Sequence, residues 1–280
     1  MTVKIVTDSL SDVTSDIAET LGITVVPLTV LFGHDSFLDR VTITTDDFYR
    51  RLVRDNIWPT TTQPSPAAFA ETYDKLAKET NEILAIDASS KLSGTYQSAL
   101  GAVKMVSKKC RIEVIDTQMV AMGLGLIVIS AAKAAQQGAK LDEVAGLVRR
   151  AMPRSHFIAC FDTLKYLAKG GRVGKAQGLV GSLLSVKPLL TVKDGEMAPV
   201  TRVRSKIAGM DYLYKFVAGF SKIESVAVEH TTVHEDADKL AERLGSLLPK
   251  ERIYRSTVSP VLGVYGGPGA IAVTVLEAEK

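Results

Sequence analysis

Two stretches of the chain place hydroxyls where a negatively charged group could be held. Thr60-Thr61-Thr62-Gln63-Pro64-Ser65-Pro66 stands directly before a helix start, since Ser65 can cap and Pro66 suits a first helical turn. Ser89-Ser90-Lys91-Leu92-Ser93-Gly94-Thr95-Tyr96-Gln97-Ser98 follows a short strand-like run in the same way. In open α/β sheets, ligands bind beyond the carboxyl ends of strands, where helix N-termini converge. Backbone N–H groups and partial positive charge favour an anion there. Hydroxyls can donate to a carboxylate without adding a fixed charge. Helix capping is the competing explanation, and it accounts for one or two of these side chains.

Other chemistry-bearing motifs fall short. Gly170-Gly171-Arg172-Val173-Gly174-Lys175 suggests a phosphate loop, but Lys169 stands where the first Gly belongs and Ala176 where the metal-binding hydroxyl belongs. Gly123-Leu124-Gly125 begins a dinucleotide fingerprint, yet Val128 replaces its third Gly; close helix–strand packing explains the pair better. His230 and His234 are four apart, a metal-ligand spacing on a helix. His230 follows a strand-like run with no ligand pattern nearby, so the pair reads as two solvated imidazoles. No metal or cofactor is expected. Ser93 could serve as a nucleophile only with a base in reach. None of the four histidines, His34, His156, His230 and His234, lies in a motif that points to it.

These residues must be positioned by alternating strands and helices. The patterns predict strands at 3–7, 24–31, 82–86 and 111–115. They predict helices at 14–20, 46–53 with Thr45 as cap, 65–78, 92–106, 120–136 and 141–152. Such alternation implies a mainly parallel sheet covered on both faces. After Met152-Pro153 the pattern changes. A strand at 156–161 and a Gly-rich stretch over 170–181 precede runs at 186–192 and 198–203. Asp194-Gly195 between those runs is a hairpin signal. Helices at 207–220 and 237–248 and strands at 225–229, 252–256 and 270–276 complete a mixed sheet. The reading is therefore α/β: an N-terminal three-layer domain over 1–153 and a C-terminal α/β domain over 154–280. The mixed charge over 206–279 reads as solvated faces.

Bulk properties bound the function. A chain of 280 residues suggests two domains, and its 46% hydrophobic residues suffice for substantial cores. No charge-free apolar window reaches the roughly 18 residues of a membrane span. The apolar stretch 119–132 reads as a buried helix instead. The N-terminus alternates like a strand and does not read as a signal peptide. Cys110 and Cys160 read as buried thiols of a reducing cytoplasm. A net charge of +3 with interspersed signs argues against nucleic acid.

With further motifs, the two hydroxyl stretches resemble the DegV family of bacterial fatty-acid-binding proteins. The match runs through Thr7-Asp8-Ser9, Val26-Pro27-Leu28, Thr61-Thr62-Gln63-Pro64-Ser65 and Leu92-Ser93-Gly94-Thr95-Tyr96-Gln97-Ser98-Ala99. It continues through Ile115-Asp116, Leu164-Lys165-Tyr166-Leu167, Gly170-Gly171-Arg172, Lys187-Pro188, Val203-Arg204 and Gly267-Pro268-Gly269. The shared order over essentially the whole chain is what makes it specific.

The resemblance implies a DegV-like two-domain fold with an acyl chain in a buried tunnel. It places the carboxylate on Thr61 and Ser93, with Thr62 at the usual Ser position and Gly94 beside them. It implies no chemistry by this chain alone, and presentation of the fatty acid to a separate fatty-acid kinase that feeds phospholipid synthesis. Arg204, and with it Arg172, would help dock that partner. Tyr265 stands where the family commonly has His, and it keeps a hydrogen-bond donor while losing a titratable imidazole. Leu28, Val30, Ile158 and Leu183 are candidates for the tunnel wall, with core packing as the competing role. A monomer without stable membrane insertion is expected. The alternatives are a stand-alone acyl hydrolase or transferase using Ser93, and a binder of another anionic lipid.

Overall fold

A computed structural model describes residues 2–55, 57–179 and 186–279. Leu183 and the end of the Gly-rich stretch lie outside the described residues. The first half runs β1 (Lys4–Asp8), α1 (Ser15–Leu21), β2 (Ile23–Val26), β3 (Thr29–Phe32), β4 (Asp35–Leu38), α2 (Thr45–Arg54) and β5 (Thr60–Thr62). Then come α3 (Pro66–Leu76), β6 (Glu82–Asp87), α4 (Thr95–Ala102), β7 (Arg111–Asp116), α5 (Met122–Gln136) and α6 (Leu141–Ala151). The second half runs β8 (Ser155–Cys160), α7 (Lys165–Lys169), β9 (Lys187–Lys193), β10 (Glu196–Val203) and α8 (Lys206–Ala218). It ends with β11 (Ile223–His230), α9 (His234–Leu244), β12 (Ile253–Thr257), α10 (Pro260–Gly266) and β13 (Ile271–Glu277).

The first sheet is parallel throughout, in the order β2-β1-β6-β7. The second is mixed, in the order β10-β9-β8-β13-β11-β12, with β11 and β12 its parallel pair. Helices α3 and α4 cover one face of the first sheet, and α8 and α9 cover one face of the second. Helix α5 lies between the two inner faces. It is buried on nearly every side, which explains why its sequence is apolar without a polar stripe. Among the described residues, no helix is long and apolar enough to cross a membrane.

Gly125 shows how close this packing is. A Cβ there would stand 2.4 Å from the Ser11 carbonyl oxygen, a backbone atom that cannot swing away. Packing, not a dinucleotide, accounts for the glycine. Gly125→Ala is therefore expected to cost about 1–3 kcal/mol, read as a lower urea midpoint at unchanged slope.

Several expected elements differ. The extended run 24–31 is two strands, because Pro27 has no N–H for a ladder and the chain turns there. The strand after the turn joins an unpredicted three-stranded antiparallel sheet, β4-β3-β5. Thr44, not Thr45, caps α2 and accepts the Asp47 N–H at 3.1 Å. Helix α4 begins at Thr95, because Leu92 and Ser93 both donate their N–H groups to Ser89 O at 3.0 Å in a preceding turn. The short helices α7 and α10 were not predicted. Asp194-Gly195 forms the expected hairpin turn, both residues at positive φ. Cys160 is buried, whereas Cys110 is only half-buried.

Candidate functional site

The pairing of β5 with β3 sets Thr61 opposite Val30. Side chains alternate along a strand, so Thr61 faces inward while Thr60 and Thr62 are exposed. Ser93 stands in the turn between β6 and α4, at the carboxyl end of a parallel strand. Its Oγ lies 2.8 Å from Thr95 Oγ1 and accepts the Thr95 N–H at 3.3 Å. Gly94, the N-cap of α4, has no side chain to cap the helix. A Cβ on Gly94 would meet the Gln63 amide at 2.5 Å, so the glycine lets Gln63 lie across the turn.

Tyr265, at the end of α10, completes this group. Its hydroxyl is 2.5 Å from Thr61 Oγ1. The Arg172 guanidinium lies 5.2 Å from the centre of its ring and donates to Leu92 O at 3.2 Å and Gly170 O at 2.7 Å. Two glycine approaches hold α7 against α10. Added Cβ atoms would stand 2.4 Å from the Tyr265 ring at Gly170 and 2.2 Å from the Tyr166 ring at Gly267. Tyr166 in turn stacks on Trp58, the single tryptophan, with ring centres 4.8 Å apart.

Thr61, Gln63, Ser93, Arg172 and Tyr265 rim one cavity, whose remaining lining is apolar, Leu28 among it. A second cavity continues inward. The two share Val120, Leu167, Met197, Leu262 and Tyr265, so they form one path with polar groups concentrated at one end. Phe157 and Ala159 line the far half, whereas Ile158 alternates to the opposite face and packs beneath α8 and α9. Val30 is buried in the core and lines neither half.

The structure thus brings together Thr61, Ser93, Gly94, Tyr265 and Arg172. It leaves Thr62 on the opposite, exposed face, and Arg204 exposed beyond β10, away from the lining. Gln63 was missed as a lining residue, although its place in the first hydroxyl stretch was the available signal. The other hydroxyls there do local work: Ser65 caps α3, and Ser89 Oγ donates to Gly195 O at 2.7 Å. Lys175 of the glycine-rich loop pairs with Asp194 at 2.9 Å.

Two corrections concern buried polar groups. His230 is buried, not solvated; burial and the neighbouring His234 push its imidazole down to about 4. Among the described residues, no cluster of ligands that could hold a metal forms around the pair. Glu229, expected on a solvated face, is fully buried and lines the far half of the cavity.

An α/β protein of two sheets packed about one helix, enclosing an apolar path with hydroxyls at one end, is the class that this fold and site define. The model of DegV, described as a family of uncharacterised proteins, matches residues 2–278. A DegV domain-containing protein of Caldanaerobacter subterraneus subsp. tengcongensis is 40% identical over 275 residues, covering 97% of each chain. A structure described as the fatty-acid binding of a DegV family protein from Thermus thermophilus superposes with a TM-score of 0.91 at 31% identity, covering 99% of this chain and 100% of that one. DegV of Bacillus subtilis, described as a fatty acid binding protein, gives 0.90 at 26% identity with the same coverage. The chain belongs to the DegV family.

Proposed function

We propose that this protein binds one long-chain fatty acid, with its carboxylate at Thr61, Ser93 and Tyr265 and its tail along the two contiguous cavities. The observation that carries this reading is the division of the path into a hydroxyl-rimmed end and an apolar remainder. The fatty-acid binding of similar DegV proteins supports it. Each buried methylene contributes about 0.8 kcal/mol, so roughly fifteen give an upper bound near 12 kcal/mol before association costs. Hydroxyl donors and the α4 N-terminus then suffice to orient the head group.

Presentation to a separate fatty-acid kinase would use the exposed Arg172 and Arg204 at and beyond the cavity mouth. Ser93 contacts a hydroxyl rather than a base, which favours a binding role over a stand-alone hydrolase or transferase. We further propose a cytoplasmic monomer of two domains, 1–153 and 154–280. Among the described residues, no sheet mixes strands from the two sides, although one core spans both.

Native mass spectrometry followed by organic extraction tests the main reading. A stoichiometric fatty acid released on denaturation is expected; neither co-purified lipid nor uptake of added fatty acid would overturn it. Ser93→Ala and Thr61→Ala are each expected to weaken binding by about 1.5–3 kcal/mol, roughly ten- to hundredfold, with the melting temperature nearly unchanged. Calorimetric titration checks this, and unchanged affinity in both variants removes these residues from the site.

A further inference from the structure

Behind the far half of the cavity lies a buried polar cluster that the head group does not use. Glu229 Oε1 accepts the Met122 N–H at 3.0 Å, at the first residue of α5. The Glu229 carboxyl faces the buried Asp12 carboxyl, and Glu229 Oε2 and Asp12 Oδ2 are both buried without a hydrogen-bond partner among the described residues. Asp12 Oδ1 accepts the Ser259 N–H at 2.9 Å and lies 3.4 Å from the Arg40 guanidinium. Ser259 caps α10, which carries Leu262 and Tyr265 into both halves of the cavity.

The residue before Met122 is strained. Ala121 has φ 57° and ψ −152°, a region nearly closed to residues with a Cβ. Such a conformation persists only where its surroundings over-determine it. Here two hydrogen bonds flank it: Ala121 N–H to Leu10 O at 2.8 Å, and Met122 N–H to Glu229. Val120 and Ala121 both line the far half.

We infer that Glu229 is a positioning residue for the acyl tail: by holding the Met122 N–H it keeps the Ala121 corner set into the cavity wall, and that corner determines how well a long chain is accommodated. The inference rests on the fatty-acid reading above. The near half, where a short chain anchored at Thr61 and Ser93 lies, is lined by Val120 but not by Ala121. A long chain packs against the Ala121 corner. Glutamine can replace the side chain, because its oxygen accepts from Met122 and its amide can donate to the otherwise unpartnered Asp12 Oδ2. The protonated acid does the same, and burial followed by the Asp12 charge pushes Glu229 well above the usual carboxylate range.

The test is calorimetric titration of the full chain with decanoic and octadecanoic acids. Glu229→Ala is expected to lose at least tenfold in affinity for the long acid and less than twofold for the short one, while Glu229→Gln restores the wild-type ratio. Ala121→Gly relieves the strained φ, folds independently of that clamp, and is expected to lower long-chain affinity selectively by threefold or more; it decides the matter should Glu229→Ala not fold. Wild-type binding with equal losses for both acids, or with no loss in either variant, overturns this inference alone. A wild-type protein that takes neither acid overturns the fatty-acid reading and this inference with it.

Discussion

Replacing Arg40 by Met is expected to destabilise the fold by about 3–5 kcal/mol at pH 8, and by clearly less at pH 5. Asp12 is fully buried, and the Arg40 guanidinium at 3.4 Å is the cation beside it. Burial pushes the Asp12 carboxyl up and the Arg40 charge pulls it down. Without Arg40 the carboxyl is raised further. A group raised in the folded state favours folding below its unfolded value and loses that contribution as pH climbs towards its folded one. The variant must then either keep a proton that solution at pH 8 withdraws or bury an unpaired charge. Arg40 also donates to Thr257 O, which ties the first half of the chain to β12, so the loss adds to the electrostatic one. Urea unfolding at both pH values checks this. An equal loss at pH 5 and 8, or less than 1 kcal/mol at pH 8, would show that Asp12 does not depend on Arg40.

The wild-type protein should itself lose stability between pH 6.5 and pH 8, at roughly 2–3 kcal/mol per pH unit. Burial pushes Asp87 and Glu229 well above the carboxylate range, and both Asp87 oxygens are buried without a hydrogen-bond partner among the described residues. Each proton held by the folded but not the unfolded chain costs about 1.4 kcal/mol per pH unit. Two such protons give the stated slope. Burial also pushes Asp39 up to about 7 and Asp8 up to about 6, effects of the same sign that steepen the slope at the low end of this window and fade towards pH 8. His230 acts oppositely, since its lowered value of about 4 makes stability rise with pH, but only up to its unfolded value near 6.5. Above that the carboxyls act alone. Asp87→Asn should lower the slope by about one proton, near 1.4 kcal/mol per pH unit. A flat stability profile from pH 6.5 to 8 would mean that neither acid keeps its proton in the folded state.

Wherever local chemistry dictates local structure, the sequence is a reliable guide. Asp194-Gly195 demands positive φ and turns the hairpin; Ser65-Pro66 starts α3; an apolar run without a polar face becomes the helix between two sheets. Thr61 and Ser93, more than thirty residues apart, could be named in advance from their hydroxyls and their resemblance to DegV motifs. Strand alternation alone then separates Thr61 from Thr62, once β5 is known to be a strand.

Only the tertiary structure decided what depends on long-range packing. β5 has three residues and α7 five, too short for periodicity to mark, and each is held by partners distant in sequence. Glu229 looks like any charge on a solvated face, because nothing in its neighbours announces Asp12, 217 positions earlier, or the Arg40 guanidinium beside it. The cavity is likewise unwritten in any single segment. Its walls come from the second sheet, from Thr61 of β5, from α7 and α10 and from the turns before α4 and α5, so each apolar lining residue reads locally as ordinary core. Residue types determined which groups could receive a carboxylate; the packing of α7 and α10 against the second sheet decided where the apolar path beyond them runs.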